Sequence, residues 1–484
     1  MKKFLALFVP ALVVLGLLTG CAGGAGNTGE AVPGATEITL SDGGIQINGG
    51  GAKADGRLVT IGAVGTYSVS GSLSDGQIVI DTGDEAVKVT LLLNGVDITN
   101  LSGPAIHIRQ AKNARIELAA GTKNGVTSGA GPDMDLSSSD ASGAAIYAED
   151  DLDIEGEGEL IVCGYINNGI ACKDDLDINS GSISVYAANN GIRGSKSVEI
   201  KGGSIAVNAG NDGIKSTAAN KEGKGFVRIR GGEIFVTAGG DGISAETELS
   251  IEEGAVVAVT AMGDPDQVSS KALKAQTGLA INGGILTLSS ADHTIRSAAG
   301  LTITGGNLTA ESTGGKAIAA HGDISITGGE LYLIAAGDGV ETTGDIRISG
   351  GMLFLTTGDD GFQAGEADSG AGDVTVDGGE TVIQAKGQTI NARGELALNG
   401  GVLLALGGSS KAPAPTGSLL VLNVAWSGAG GRVVSVADPA GTVFASATTV
   451  WPVKRILLTS PTLAEGVDFT VSDGLNSVTA RASR

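Results

Sequence analysis

The chain has 484 residues, 81 of them Gly and 10 Pro, with 3% aromatics and a formal net charge of −22. Glycine at that level without a Gly-X-Y period excludes collagen, and the regular spacing of Val, Ile and Leu excludes a disordered linker. Gly recurs too often for long helices to survive, and the acidity excludes binding nucleic acid or anionic lipid through bulk charge.

In chain order, Lys2 and Lys3 precede an apolar run from Phe4 to Leu18, the n-region and h-region of a secretory signal. The run ends in Leu18-Thr19-Gly20-Cys21, which resembles a bacterial lipobox, so cleavage before Cys21 and a diacylglyceryl group on its sulfur are expected. That predicts a signal peptide at 1–20, a flexible tether at 21–35, and an exported lipoprotein at the cell surface, on the outer face of the cytoplasmic membrane. Beyond Cys21 only Cys163 and Cys172 remain, and their spacing suggests no metal site.

The body of the chain repeats itself. A Gly pair, or one Gly in its place, follows a short alternating run in LDINSGSISV, VEIKGGSIAV, VRIRGGEIFV, LSIEEGAVVAV, LAINGGILTL, LTITGGNLTA, ISITGGELYL, IRISGGMLFL, VTVDGGETVI and LALNGGVLLA. The second residue of each dyad falls at 181, 203, 232, 254, 284, 306, 329, 351, 379 and 401, a 22-residue step with insertions near 216–225, 262–269 and 366–372. Side chains alternate with period two on both sides of the dyad, and a further short strand such as Gly-Ile-Ser-Ala closes each unit. Two or three strands per 22-residue coil predict an all-β parallel β-helix, its coils ~4.8 Å apart. VKVTLLLNGVDITNLSGPAIHI (87–108) fits the same frame, so the β-helix is assigned to 36–409. KAPAPTG (411–417) breaks the step, and 410–484 reads as a small β module covering the open end.

The segment TLSDGGIQINGGGAKADGRLVTIGAVGTYSVSGSLSDGQIVIDTGDEAVKVTLLLNGVDITNLSGPAIHI resembles the opening of a bacterial carbohydrate-binding parallel β-helix family first described in a cellulolytic clostridium. The DGI-rich coils and the closing LTSPTLAEGVDFTVSDG are similar to that family as well. The resemblance spans roughly 36–480. It implies a right-handed parallel β-helix, related in architecture to pectate lyases, that is exported, holds calcium and binds plant-type polysaccharides such as polygalacturonate and cellulose.

Stacking turns equivalent positions into columns. Before the Gly-Ile strand stand Asn168, Asn190, Asp212, Asp241, Lys271, His293, Lys316, Asp338, Asp360 and Gln388. Three positions later stand Ala171, Arg193, Lys215, Ser244, Lys274, Arg296, Ala319, Glu341, Gln363 and Asn391. Asp212 and Asp241, with Asp264 and Asp266 from the nearby insertion, form one candidate calcium cluster; Asp338, Asp359 and Asp360 form another. A solvated acidic edge is the alternative for both. Lys215, Lys271, Lys274, His293, Arg296 and Lys316 either offset those carboxylates or receive the carboxylates of an anionic glycan. A third column, Asp151, Asp175, Glu248, Asp323, Asp345 and Asp373, reads as turn residues that satisfy local backbone N–H groups. Trp426 and Trp451 lie outside the helix, and Tyr147, Tyr165, Tyr186 and Tyr332 are scattered, so no flat aromatic platform is expected.

The reading is a surface-anchored lipoprotein, acting as a monomer, that binds acidic polysaccharide with calcium and no nucleic acid. One alternative is a calcium-dependent pectate-type polysaccharide lyase with Lys271 as the base that removes the C5 proton of a uronate. Another is a structural surface protein or adhesin. Hydrolysis is disfavoured, because no isolated carboxylate pair stands out from the repeating acidic columns, and binding is preferred to cleavage.

Overall fold

The computed structural model describes residues 32–83, 88–112, 114–129, 143–219, 222–260, 269–366, 370–411 and 414–484. The leader, Cys21 and most of the tether lie outside the described residues, as do Asp264 and Asp266.

The 22-residue step is one turn of a parallel β-helix, and each turn carries three strands. In one coil these are Ile170–Cys172, Asp175–Ile178 and Ser182–Ala187; in the next, Ile192–Gly194, Ser197–Ile200 and Ser204–Ala209. They stack in parallel register, with Ile170 on Ile192, Leu176 on Val198 and Ile183 on Ile205. The strands line three faces: a short-strand face, a pre-glycine face and a post-glycine face. The insertion near 216–225 leaves the register intact, since Ile214 still sits on Ile243 and Val198 on Val227.

Alternation with period two sends every second side chain inward. Ile192, Ile214, Ile243, Leu273 and Ile295 form one fully buried column on the short-strand face. Burying each such side chain contributes roughly 1.5–3 kcal/mol. One continuous apolar core runs from Ile38 in the first coil to Leu403 and Ala405 in the last.

The ten dyad residues all turn the chain between the pre- and post-glycine faces with positive φ, from 74° at Gly401 to 111° at Gly181. At Gly284 (φ +87°) an added Cβ would also lie 2.7 Å from the Gly254 carbonyl oxygen of the neighbouring coil. Conformation and stacking distance both exclude a side chain there.

Parallel pairing runs from Thr36–Leu40 on Gly65–Leu73 to Val374–Ala385 on Leu396–Gly407. Val453–Thr459 then pairs antiparallel with Leu403–Gly407 of the last coil and with Val421–Gly428. Leu404 and Leu406 face out of the helix into a second core with Trp426, Val436 and Phe469. The final sheet edge is thereby covered, which removes a row of unpaired backbone groups.

Gly284→Ala is expected to destabilise the protein by about 1–3 kcal/mol, through the strained φ and the carbonyl contact. Gly278→Ala, at an ordinary φ with nothing within 4 Å of its Cβ, leaves the denaturant midpoint unchanged.

Candidate functional site

The short-strand face presents one outward side chain per coil. Register places Arg193, Lys215, Ser244, Lys274, Arg296, Ala319, Glu341, Gln363 and Asn391 in a single column, as the alignment of coils anticipates. The residues that precede each of these strands form a second column at the corner.

That corner column is a hydrogen-bond ladder. The Asn168 Oδ1 accepts the Asn190 N–H at 3.2 Å, and the Asn190 Oδ1 accepts the Asp212 N–H at 3.3 Å. The Asp212 Oδ1 accepts the Asp241 N–H at 2.8 Å, and the Asp241 Oδ1 accepts the Lys271 N–H at 2.9 Å. Further along, Asp338 takes the Asp360 N–H and Asp360 the Gln388 N–H. Buried N–H groups need partners, and a carboxylate or amide one coil away supplies them. Asp212 and Asp241 are therefore buried structural acceptors, 5% and 1% exposed.

Their second oxygens are met by lysine. Lys215 Nζ lies 2.6 Å from Asp212 Oδ2, and Lys274 Nζ lies 2.7 Å from Asp241 Oδ2, where Ser269 Oγ also donates to Oδ1. Lys271 Nζ donates to Asp292 Oδ2 at 2.5 Å and to Ser269 Oγ at 3.1 Å. Lys316 pairs with Glu341. The four lysines thus offset four carboxylates. Asp292 is the partner that sequence reasoning did not single out, although it directly precedes His293 in the frame. Burial would raise its pKa, but the Lys271 ammonium and the His293 N–H hold it below the usual carboxylate range.

His293 lies among these cations, with its Nδ1 3.2 Å from Asp292 Oδ1. Burial pushes its pKa down to about 4, with Lys316, Lys271 and Arg296 nearby adding to the effect against the Asp292 charge. Its Nδ1 accepts the Lys316 N–H at 3.2 Å, which a neutral ring can do. Two cations stand apart. Among the described residues Arg193 and Arg296 have no carboxylate partner; Arg193 reaches Thr217 Oγ1 at 3.4 Å, and Arg296 reaches His321 Nε2 at 2.6 Å. Four coil steps separate them on one column, ~19 Å at the β spacing.

Acidic groups converge in two further places. Burial, then the hydrogen bond with Glu341, raises the Asp338 pKa to about 7, while Asp338 and Lys316 hold Glu341 low against its own burial. The pair shares a proton near neutrality. Asp359 adds its charge beside it. Asp150, Asp151 and Asp174 bring one carboxylate oxygen each within 4.8 Å of one another, with Lys196 against Asp174. The third column is a second ladder: Asp151, Asp323, Asp345 and Asp373 accept the N–H of Asp175, Asp345, Asp373 and Glu395.

Among the described residues the aromatic side chains form no platform on the short-strand face. Tyr147 contacts His107 at 5.2 Å, and Tyr332 stacks on Phe354 at 5.1 Å and 9° on the post-glycine face. Cys172 is a buried free thiol that donates to the Asp150 carbonyl at 3.0 Å.

A family described as carbohydrate-binding domain-containing protein matches residues 55–315 and 311–419. A carbohydrate-binding domain-containing protein of Acetivibrio thermocellus is 39% identical over 137 residues, 28% of this chain and 48% of that relative. The match thus spans about half the relative's length. A solved structure described as the polysaccharide lyase-like protein from C. thermocellum, a gadolinium derivative, is 35% identical, with a TM-score of 0.45, over 49% of this chain and 94% of its own. With the family match running through nearly all the stacked coils, the chain belongs to the carbohydrate-binding domain-containing protein family.

Proposed function

We propose that this protein is a lipid-anchored surface receptor for acidic polysaccharide, polygalacturonate being the type case, assisted by calcium. The observation that carries the reading is the pair Arg193 and Arg296, uncompensated on one outward column while Lys215 and Lys274 between them are each spent on a carboxylate. A guanidinium offers a fork of donors matched to a carboxylate, so two of them along the axis suit an anionic chain better than a neutral one. The coil spacing is close to the length of one sugar in an extended 1,4-linked chain, so such a chain would lie along the column. Of the residues proposed from the sequence, Arg296 keeps the ligand role; Lys215 and Lys274 hold the ladder acids, and Lys271 and Lys316 pair with Asp292 and Glu341 and keep the face from turning acidic.

Calcium is proposed where carboxylates converge with too few cations: Asp150, Asp151 and Asp174, and the Asp338, Glu341 and Asp359 group. At Asp212 and Asp241 lysine takes the position of a metal. The bound cation would supply a bridge between protein and uronate carboxylates. Lys271 acts here as a donor to Asp292, so holding is favoured over cleavage. Appearance of an unsaturated uronide on incubation with pectate would instead establish the lyase reading.

Arg193→Ala and Arg296→Ala should each weaken polygalacturonate retention in affinity electrophoresis about tenfold, ~1.4 kcal/mol, with unchanged melting. Equal retention by the double variant sinks the assignment. Asp241→Ala strips an N–H and an ammonium of their buried partner and should cost on the order of 3 kcal/mol, Asp241→Asn less.

In chelator, the folded state holds the Asp338 proton more tightly than the unfolded chain, so this group's contribution to stability falls as pH rises from about 4 to about 7. Asp338→Asn should flatten that fall in a pH series of melts. Calcium should raise the wild-type melting temperature at pH 8, and a chelator-insensitive melt would exclude a tight native-state site. Cys21→Ala should move the protein from the membrane fraction to the medium; unchanged partitioning counts against the anchor.

A further inference from the structure

The module that covers the last coil has edges of its own. Its four-stranded sheet runs Val443–Thr448, Val433–Ala437, Asp468–Ser472, Ser477–Arg481 in spatial order. Among the described residues, the first and last of these are edge strands of that sheet. The two edges are not alike. The pairing of Val443–Thr448 is broken by a bulge at Val436 and Ala437, and Ala447 is buried. Ser477–Arg481 pairs with Asp468–Ser472 without a register shift, and four of its five residues are exposed.

Native edge strands are commonly blunted by lysine, proline or a bulge. Ser477–Arg481 has none of these, and its one cation, Arg481, is matched to Asp468 on the neighbouring strand. Two residues on, Ser483 exchanges both backbone hydrogen bonds with Val421, at 2.8 and 3.0 Å. Alternation points the N–H and C=O groups of Thr479 and Arg481 to that same side, where no described strand receives them. The open edge is thus bounded by the Val421 bridge at one end and by the turn at 473–476 at the other.

That turn is fixed in place. Asp473 Oδ1 accepts the N–H of Leu475 at 2.9 Å and of Asn476 at 2.7 Å, and Ser472 Oγ accepts that of Gly474 at 3.1 Å. It holds out Leu475, 72% exposed. Val478, 39% exposed, lies across from Val471, on the face that carries the second core.

The partner that fits this edge is a second copy of the chain. We infer that two copies pair through Ser477–Arg481, antiparallel about a two-fold axis at Thr479. That register sets Val478 across from Ala480 of the other copy and extends the second core, against which Ala480 already packs. Arg481 falls across from Ser477, so no like charges oppose one another. Leu475 is carried to the other copy's bridge between Val421 and Ser483, and no part of the edge is left over, so association stops at two. Charge favours this meeting place as well. Residues 410–484 hold six basic and four acidic side chains, in a chain whose net charge is −22. The monomer expected from the sequence gives way to a dimer whose affinity comes mainly from main-chain hydrogen bonds.

The test is sedimentation equilibrium of the full-length protein in mild detergent, over a concentration series. Wild type should follow a monomer–dimer equilibrium. Thr479 meets its own counterpart at the axis, so Thr479→Lys and Thr479→Glu should each remain monomeric with unchanged melting. An equal mixture of those two variants should restore the dimer, because opposite charges then face each other. Ser446→Lys, on the other edge strand, should dimerise like wild type. A monomeric wild type, assemblies larger than two, or a dimer that survives Thr479→Lys overturns the proposal. So does loss of the dimer in Ser446→Lys, or a mixture that stays monomeric, since the pairing would then use another edge or register.

Discussion

A parallel stack of identical coils has one recurring problem: where the chain turns, backbone N–H groups leave the sheet and must find acceptors inside a crowded wall. The whole molecule is arranged around that requirement. At the turn between the pre- and post-glycine faces the answer is conformational, and a left-handed glycine lets each coil sit against the carbonyls of the last. At the other two corners the answer is chemical. An Asn or Asp of one coil reaches the N–H of the next, repeated along the axis as a ladder.

Ladders built from aspartate carry charge, and that charge decides what the neighbouring face can do. Buried carboxylates one coil apart repel, so each needs a cation or a proton. Lys215 and Lys274 satisfy the first cluster directly. At Asp338 and Glu341 the lysine pairs with Glu341, and burial holds the Asp338 pKa well above the usual carboxylate range. Most of the positive charge on the short-strand face therefore belongs to the fold, which sharpens the meaning of the two arginines left over.

Gaps in a structural pattern are informative for the same reason. Where a ladder is needed, aspartate recurs coil after coil. Where Phe226, Glu248, Gly278 and Gly300 replace it, the corner loses its filling and a trough appears between intact segments.

Much of this was legible in the linear chain. The 22-residue step, the turning glycines, the inward isoleucine columns and the outward column from Arg193 to Asn391 follow from counting, because side chains alternate with period two and coils stack in register. Sequence also told that the Asp151 column satisfies backbone N–H groups. It did not tell that the N–H belongs to the next coil, that Asp212 and Asp241 do the same work, or that Asp292 takes the Lys271 ammonium. Those pairings depend on a few tenths of an ångström between residues 21 or more positions apart. Nor did counting show that burial pushes the His293 pKa down, or that missing side chains at one corner add up to a groove. Register is a one-dimensional property and can be read from spacing; charge pairing, desolvation and empty volume exist only once the coils are stacked.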